Sequence, residues 1–284
     1  MPLVGANIGF VSDYVNSHEL GLVKANNRCY IGNPIENIYA DKTLLTTLRR
    51  KAQFLTKTPL HPQWLHRSNS DAYIALISEV DENQTVLDIG CYNKWAKQYL
   101  PPSCQYIGLD YYETSVNWYR SVPDVYGDAL SLPIAPESFD VVILIDVLEH
   151  ISDSRRLLEQ IHQVLKSDGK VIMSLPFLYP LHDAPRDFVR LTIHGVEHLA
   201  AQSNFDIELC DPIGSPIVTS VFLLNVALAK TAVNWISEKS ILSIFSLILF
   251  PAIFINNLAA KFVSRFEFKD GFMANSYQVV LRKR

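Results

Sequence analysis

Four aspartates stand at regular stations along the middle of the chain: Asp88, Asp110, Asp128 and Asp146. Each ends, or closely follows, a short apolar run. Ionised carboxylates accept hydrogen bonds and donate none, so a row of them suits a ligand rich in hydroxyls and amines. Asp110 comes 20 residues after Gly90, where it can accept from both hydroxyls of a ribose. Asp128, beside the small Ala129, can accept from an exocyclic adenine amine while the neighbouring backbone N–H reads a ring nitrogen. Gly90, directly after the run VLDI, lets the backbone approach a ligand with no Cβ in the way. A helix beginning near Tyr92 would aim free N–H groups at a carboxylate or phosphate. The plainer alternative makes all four acids turn and cap residues.

Acids so spaced act together only if the chain brings their ends to one edge. TVLDI (85–89), CQYIGLD (104–110), DVYGDA (124–129), SFDVVILID (138–146) and GKVIMSLP (169–176) read as successive strands, the fourth apolar enough to be buried on both faces. Between the last two, SDSRRLLEQIHQVLKSDG opens on a capping serine or aspartate. It carries apolar residues at helical spacing (Leu157, Leu158, Ile161, Val164, Leu165) and is expected to stop at Gly169. IHGVEHLAAQSN (193–204) adds a helix, FDIELC (205–210) a sixth strand and SYQVVLRKR (276–284) a seventh. Such alternation builds a mostly parallel sheet with helices on both faces. Ligands of open sheets of this kind bind beyond the carboxyl ends of the strands. Residues 1–70 are set apart as a helical N-terminal extension. Within it NIYADKTLLTTLRRKAQFLTK reads as a basic helix with Lys42, Arg49, Arg50, Lys51 and Lys57, until Pro59 and Pro62 break it. That basic face is either solvated or a surface for anionic lipid or a phosphorylated substrate.

Two adenosine cofactors match the row of acids: a dinucleotide and S-adenosylmethionine. The dinucleotide fingerprint G-x-G-x-x-G wraps a pyrophosphate. Here the string from Gly90 is G-C-Y-N-K-W, without the second and third glycines. An amino-acid carboxylate is smaller and needs less glycine. The strings VLDIGC, YIGLD, GDALSLPIAPESFDVVILIDVLEHI and LKSDGKVIMSLPF resemble the successive motifs of class I S-adenosylmethionine-dependent methyltransferases, over about residues 71–210 and the last strand. DVLEHI is similar to the fourth-strand motif of the branch that methylates small molecules, quinones and glycolipid precursors. The resemblance implies a Rossmann-like seven-stranded, mostly parallel sheet whose antiparallel last strand inserts between the fifth and sixth. It implies S-adenosyl-L-methionine as cofactor, with cofactor roles for Asp88, Gly90, Cys91, Asp110, Tyr111, Asp128 and Ala129 and a pocket-floor role for Asp146. The departure lies after Gly90, where Tyr92 and Lys94 replace the family's later glycines.

Methyl transfer is an in-line displacement that needs alignment, and a hydroxyl acceptor also benefits from a general base. His150 lies four residues after Asp146. The loop PFLYPLHDAPRDFVRLT (176–192) follows strand five and packs His182, Asp183, Arg186, Asp187 and Arg190 among aromatic residues. It resembles the loop of bacterial methyltransferases associated with cell-surface polysaccharides. His182 is the first choice for the base and His150 the second; alternatively they only order a loop and cap a helix. Asp183, Arg186 and Arg190 are the expected acceptor-binding residues. The arginines would clamp a phosphate or carboxylate, or pair with Asp183 and Asp187.

The chain has 284 residues, 49% of them apolar and only 19% charged, with a net charge of −4. That charge gives no footprint for nucleic acid over the whole chain. Cys29, Cys91, Cys104 and Cys210 have no metal-ligand spacing and read as reduced thiols, and no metal site is expected. The excess grease sits in an insertion at about 212–265, between strands six and seven. Ile213–Ala229 and Ser240–Ala260 carry no charge, and Lys230, Lys239 and Lys261 bracket them. Both flanking strands belong to one sheet, so a single span is excluded. Three options stay open: contact with a membrane interface through 213–262, burial in a lid or homodimer, or a membrane hairpin. The flanking lysines favour the cytoplasmic side, peripheral on the inner membrane face. The reading is thus O-methylation of a small-molecule or lipid- or glycan-linked acceptor in polysaccharide biosynthesis. Its rivals are a scaffold that kept the fold without turnover and a nicotinamide enzyme.

Overall fold

A computed structural model of the chain describes residues 30–31, 55, 57–67, 71–267 and 271–284. The basic stretch with Lys42, Arg49, Arg50 and Lys51, and Cys29, lie outside the described residues; Pro59 and Pro62 fall in turns, as helix-breaking residues should.

The strands are β1 (Tyr30–Ile31), β2 (Thr85–Ile89), β3 (Gln105–Asp110), β4 (Val125–Tyr126), β5 (Phe139–Ile145), β6 (Leu165–Pro176), β7 (Phe205–Ile213) and β8 (Ser276–Lys283). They form one sheet in the order β1-β4-β3-β2-β5-β6-β8-β7. From β4 to β6 every neighbour is parallel. β8 runs antiparallel to both β6 and β7 and lies between them, as expected of the last strand. The two-residue β1, antiparallel to β4, is an edge that the sequence did not announce.

The helices are α1 (Trp64–Arg67), α2 (Asp71–Ser78), α3 (Ser154–Val164), α4 (Ile193–Gln202), α5 (Pro216–Ser237) and α6 (Ser246–Val263). The α3 cap is Asp153, whose carboxylate accepts from the Arg156 N–H at 3.0 Å. Leu157, Leu158, Ile161 and Val164 are buried along one face of α3 against β5 and β6. α3 ends at Val164, earlier than the Gly169 stop suggested, because Leu165 is already extended and pairs with Phe139 as the first residue of β6. On the opposite face of the sheet Ile77 and Val80, from α2 and the turn after it, cover Val86, Val141, Ile143 and Ile172. The sheet is therefore dry on both sides, and polar groups that need water or a ligand gather at its carboxyl rim.

β7 runs to Ile213, three residues past its expected end, and the chain returns at β8. Between them α5 and α6 form an antiparallel pair. Buried asparagines join the two: Asn225 Nδ2 donates to Asn257 Oδ1 at 2.9 Å, and Asn257 Nδ2 donates to the carbonyls of Pro59 (2.7 Å) and His61 (3.0 Å). Leu65 of α1 packs with Val218, Phe222 and Ala260 in a small core of its own. Outward, the pair shows large apolar side chains, among them Ile241 at 88% exposed and Leu247 at 76%.

Candidate active site

A cleft of about 760 Å³ opens at the carboxyl rim of β2, β3, β4 and β5. Its floor begins at Gly90, with φ +74°; a Cβ there would lie 2.3 Å from Val147 Cγ2. Only glycine combines that dihedral with so close a neighbour. After Gly90 the chain does not start the helix that the sequence suggested. Tyr92 and Lys94 take left-handed φ of 49° and 59°, and a short 3₁₀ turn follows at Trp95–Tyr99. The two residues replacing the family's glycines thus keep a glycine-like backbone. For ordinary side chains that costs about 1–2 kcal/mol each. Side-chain contacts offset it. Lys94 Nζ pairs with Asp124 at 2.6 Å, and Asp124 also accepts the Gly108 N–H of β3 at 2.8 Å. The Tyr92 ring meets Tyr119 edge-on at 5.2 Å.

Asp110 closes β3 and lines the cleft. Its Oδ2 accepts the Tyr92 N–H at 3.0 Å and its Oδ1 the Tyr111 N–H at 2.7 Å, so one carboxylate ties two loops together. An ionised carboxylate has about four lone-pair sites, which leaves acceptor capacity for ligand hydroxyls. Burial pushes its carboxyl above the usual range. Asp128 is exposed, turns back to accept the Leu130 N–H at 2.9 Å, and lines the cleft with Gly127, Ala129 and Leu130. Asp146, with φ 52°, accepts from the Ser174 hydroxyl at 2.6 Å and lines the cleft where β5 ends.

Two expected cofactor residues lie behind this rim. Asp88 points into the sheet layer, where its Oδ2 accepts from the Tyr106 hydroxyl at 2.6 Å. Burial there pushes its carboxyl up to about 7, opposed by the Tyr106 hydrogen bond and helped by Asp110 and Asp124. Cys91 is fully buried against β3, where it packs beneath Gly108; desolvation raises its thiol far above the ordinary value. Neither residue lines the cleft. Alternation in a strand explains Asp88: Leu87 and Ile89 take the opposite face, and the acid gets the other one. Phe188 of the acceptor loop lines the cleft, and so do Tyr73, Trp95 and Thr114, which were not singled out from sequence. They come from segments far apart in the chain, and no local spacing marks them.

At the other end of the cleft stands the loop 177–192. Of the two arrangements open to its arginines, Arg190 takes the pairing with Asp187. Arg190 is committed to Asp187, at 2.7 Å between Nη2 and Oδ2 and with a second contact between Nη1 and Oδ1. That pairing holds the Asp187 carboxyl down to about 2. Arg190 is therefore a brace of the loop, away from the cleft lining. Arg186 pairs with Glu113 rather than Asp183, and its guanidinium lies 4.8 Å from the centre of the Tyr111 ring. Both Arg186 and Asp183 line the cleft, and Asp183 accepts from the Tyr119 hydroxyl at 2.8 Å.

The histidines come together, in the reverse of the expected order. His150 lines the cleft; His182 sits behind it, with ring centres 4.8 Å apart. Glu149 lies between them at 1% exposure, its Oε1 3.7 Å from each Nε2. That is too long for a hydrogen bond, and neither carboxylate oxygen of Glu149 has a hydrogen-bond partner. Burial raises the Glu149 carboxyl, and the Glu149 carboxylate in turn raises the His182 imidazole against its own desolvation. Glu149 falls inside the motif DVLEHI, yet nothing local signals that it is buried.

The strand order with β8 antiparallel between β6 and β7, and the ligand rim at the ends of β2 to β5, define a Rossmann-like class I methyltransferase fold. Residues 87–173 match the family described as "Methyltransferase domain". That stretch is similar to S-adenosylmethionine-dependent methyltransferase domains, and most of β2 to β6 and of the rim falls inside it. A demethylmenaquinone methyltransferase of Lactobacillus johnsonii is 35% identical over 86 residues, covering 27% of this chain and 35% of the relative. A "Probable S-adenosylmethionine-dependent methyltransferase" of Mycobacterium tuberculosis is 32% identical over 98 residues, covering 32% of this chain and 35% of the relative. The chain thus spans about a third of the length of these curated relatives. Among solved structures, a Haemonchus contortus phosphoethanolamine N-methyltransferase in complex with S-adenosyl-L-methionine aligns over 97% of this chain and 73% of that one, at 17% identity and TM-score 0.47.

Proposed function

We propose that this chain transfers a methyl group from S-adenosylmethionine to a hydroxyl of a small or lipid-linked acceptor that reaches the cleft from a membrane surface. The carrying observation is the continuity of the cleft's acceptor end with the exposed apolar helix pair. Tyr179, at the start of the acceptor loop, stacks on Phe222 of α5 at 5.4 Å and meets His182 at 5.0 Å; His182 in turn meets His150 in the cleft.

The residues present fit the cofactor. The volume of about 760 Å³ lies in the usual range of roughly 300–1,000 Å³ for small-molecule pockets. Asp110 has acceptor capacity for two ribose hydroxyls, and Asp128 faces the cleft beside Ala129, whose small side chain leaves room for a flat base. When bound, S-adenosylmethionine supplies an electrophilic methyl on a sulfonium. The chain's own part is to hold the adenosine, keep the acceptor in line, and take a proton. His150 faces the cleft, and its Nδ1–H donates to the Arg186 carbonyl at 2.6 Å. That leaves the Nε2 lone pair to accept the acceptor's hydroxyl proton. Arg186 and Asp183 then orient the acceptor's polar parts.

The helix pair supports the membrane side of the reading. α5 (22 residues) and the stretch Ile241–Val263 (23 residues) are each long and apolar enough to cross a bilayer. The pair leaves the sheet at β7 and returns to it at β8, which suits an interface-lying hairpin. The partner is accordingly a lipid surface, on the cytoplasmic face where Lys230, Lys239 and Lys261 meet anionic headgroups.

Calorimetric titration with S-adenosylhomocysteine tests the cofactor half: saturable binding that falls at least tenfold in Asp110→Ala supports it, and no heat in the wild-type chain rejects it. Sedimentation with anionic lipid vesicles tests the other half. Wild type should pellet with vesicles, and Leu247→Glu/Ile248→Glu should stay behind. Equal distribution of the two would remove the membrane from the scheme.

A further inference from the structure

The geometry points to a divalent transition-metal site, zinc by its chemistry, held by Glu149 Oε, His150 Nε2 and His182 Nε2 at the acceptor end of the cleft. The three ligand atoms lie within 4.8 Å of one another, and the glutamate is 3.7 Å from each imidazole nitrogen. Tetrahedral coordination with bonds of about 2.0–2.2 Å puts neighbouring ligand atoms about 3.3–3.6 Å apart. The Glu–His separations therefore need only a few tenths of an ångström of closure, while the widest separation in the trio, 4.8 Å at most, closes by rotation of the imidazole rings.

The hydrogen bonds around the trio make it a set of acceptors. His150 Nδ1 faces the Arg186 carbonyl at 2.6 Å, so the proton sits on Nδ1 and Nε2 carries a lone pair. His182 Nδ1 faces two acceptors, Asp187 Oδ2 at 3.2 Å and the Pro180 carbonyl at 3.3 Å, against one Arg190 donor at 3.3 Å. In the neutral ring, the form a metal binds, those two acceptors draw the proton to Nδ1. Two bare nitrogens and a carboxylate thus converge on one point, and the carboxylate is buried with neither oxygen hydrogen-bonded. Burying an unpaired carboxylate is expensive, and a cation at that point removes the expense. The outer contacts are of the kind that orient metal-bound imidazoles: a carbonyl behind one ring, and a carboxylate, itself braced by Arg190, behind the other. One carboxylate with two imidazoles suits zinc, manganese or ferrous ions better than magnesium or calcium, which prefer oxygen ligands. Asp183 Oδ2 stands 4.0 Å from His150 Nε2, beside the trio and free of it. A position left open would face the cleft.

The metal site stands apart from the methyl-transfer reading; only its consequence rests on that reading. An occupied site engages the His150 lone pair. The acceptor's hydroxyl proton then passes to Asp183, which lines the same end of the cleft, while the metal's charge favours loss of that proton.

The test is metal binding by the full chain, freed of metal with a chelator and titrated with zinc chloride. One zinc per chain should bind at micromolar or tighter affinity, weakened at least tenfold in Glu149→Gln and in His182→Ala. Because Glu149 is buried and its variant could misfold, the wild-type chain is also loaded and measured by zinc-edge X-ray absorption, which should report two imidazoles and oxygen ligands. Absence of saturable binding, unchanged affinity in the variants, or a spectrum without two imidazoles would overturn the site; protons on the histidines would then be what faces Glu149. S-adenosylhomocysteine titration of the metal-free chain separates this failure from failure of the proposed function, since cofactor binding at Asp110 does not require the metal.

Discussion

Replacing Gly90 with alanine puts a methyl where the structure has no place for one. Two penalties arise at once. The backbone is at φ +74°, in the left-handed region, which costs an ordinary residue about 1–2 kcal/mol. The new Cβ would sit 2.3 Å from Val147 Cγ2, well inside contact distance, and relief by a side-chain or backbone shift costs about 1–3 kcal/mol. Against these, alanine stiffens the unfolded chain, which returns about 0.4–1 kcal/mol. The net expectation is a loss of about 2–4 kcal/mol. The two penalties can be separated by a double-mutant cycle with Val147→Ala, measured by urea denaturation. Removing the Val147 methyls lifts the clash and leaves the dihedral, so the pair should be coupled favourably by about 1–3 kcal/mol. A single-variant loss below about 1 kcal/mol would mean that the loop relaxes freely. A cycle with no coupling would mean that Val147 does not press on Gly90. Either result refutes the picture of a floor set by those two residues.

Other consequences are as direct. The Asp88 carboxyl is held up to about 7 by burial, facing the Tyr106 hydroxyl, with Cys91, Asp110 and Asp124 nearby. A native state that binds this proton more tightly than the unfolded chain has the associated stability in full below the ordinary value of 3.8, and loses it as pH rises through 7. Asp88→Asn, which still offers an acceptor to Tyr106, should flatten that slope and stabilise the protein above pH 7 by on the order of 2–4 kcal/mol, read from denaturation curves at several pH values; an unchanged slope would count against a buried proton. Asn257→Ala leaves the Pro59 carbonyl and Asn225 Nδ2 without their partner, while the His61 carbonyl keeps the Trp64 N–H, and should lower stability by about 1–3 kcal/mol. Phe222→Ala empties the stack beneath Tyr179 and should lose about 3–5 kcal/mol. It should also shift the His182 ring resonances in an NMR spectrum, which would stay put if α5 and the acceptor loop were independent.

The sequence by itself determined the frame. TVLDI was placed to the residue and the final strand to within one, because strand periodicity and the turn residues that end strands are local properties; the order of the sheet was expected only from the family resemblance. The acids Asp110, Asp128 and Asp146 were legible as a cleft rim for the same reason: a strand's end is visible in the sequence, and ligands collect there. Tertiary structure alone decided the rest. Asp88 ends up bonded to Tyr106 rather than facing the cleft, since the pleat sends it to the other side of the sheet. Tyr92 and Lys94 can stand where glycines were expected because Tyr119 and Asp124, from later in the chain, hold them there. The sequence left open whether the arginines clamp an anion or pair within the loop; the fold pairs Arg190 with Asp187 and Arg186 with Glu113. Most of all, Glu149, His150 and His182 share no spacing that marks a site. Their convergence depends on how the loop after β6 folds back over the end of β5, a matter of which long-range contacts win.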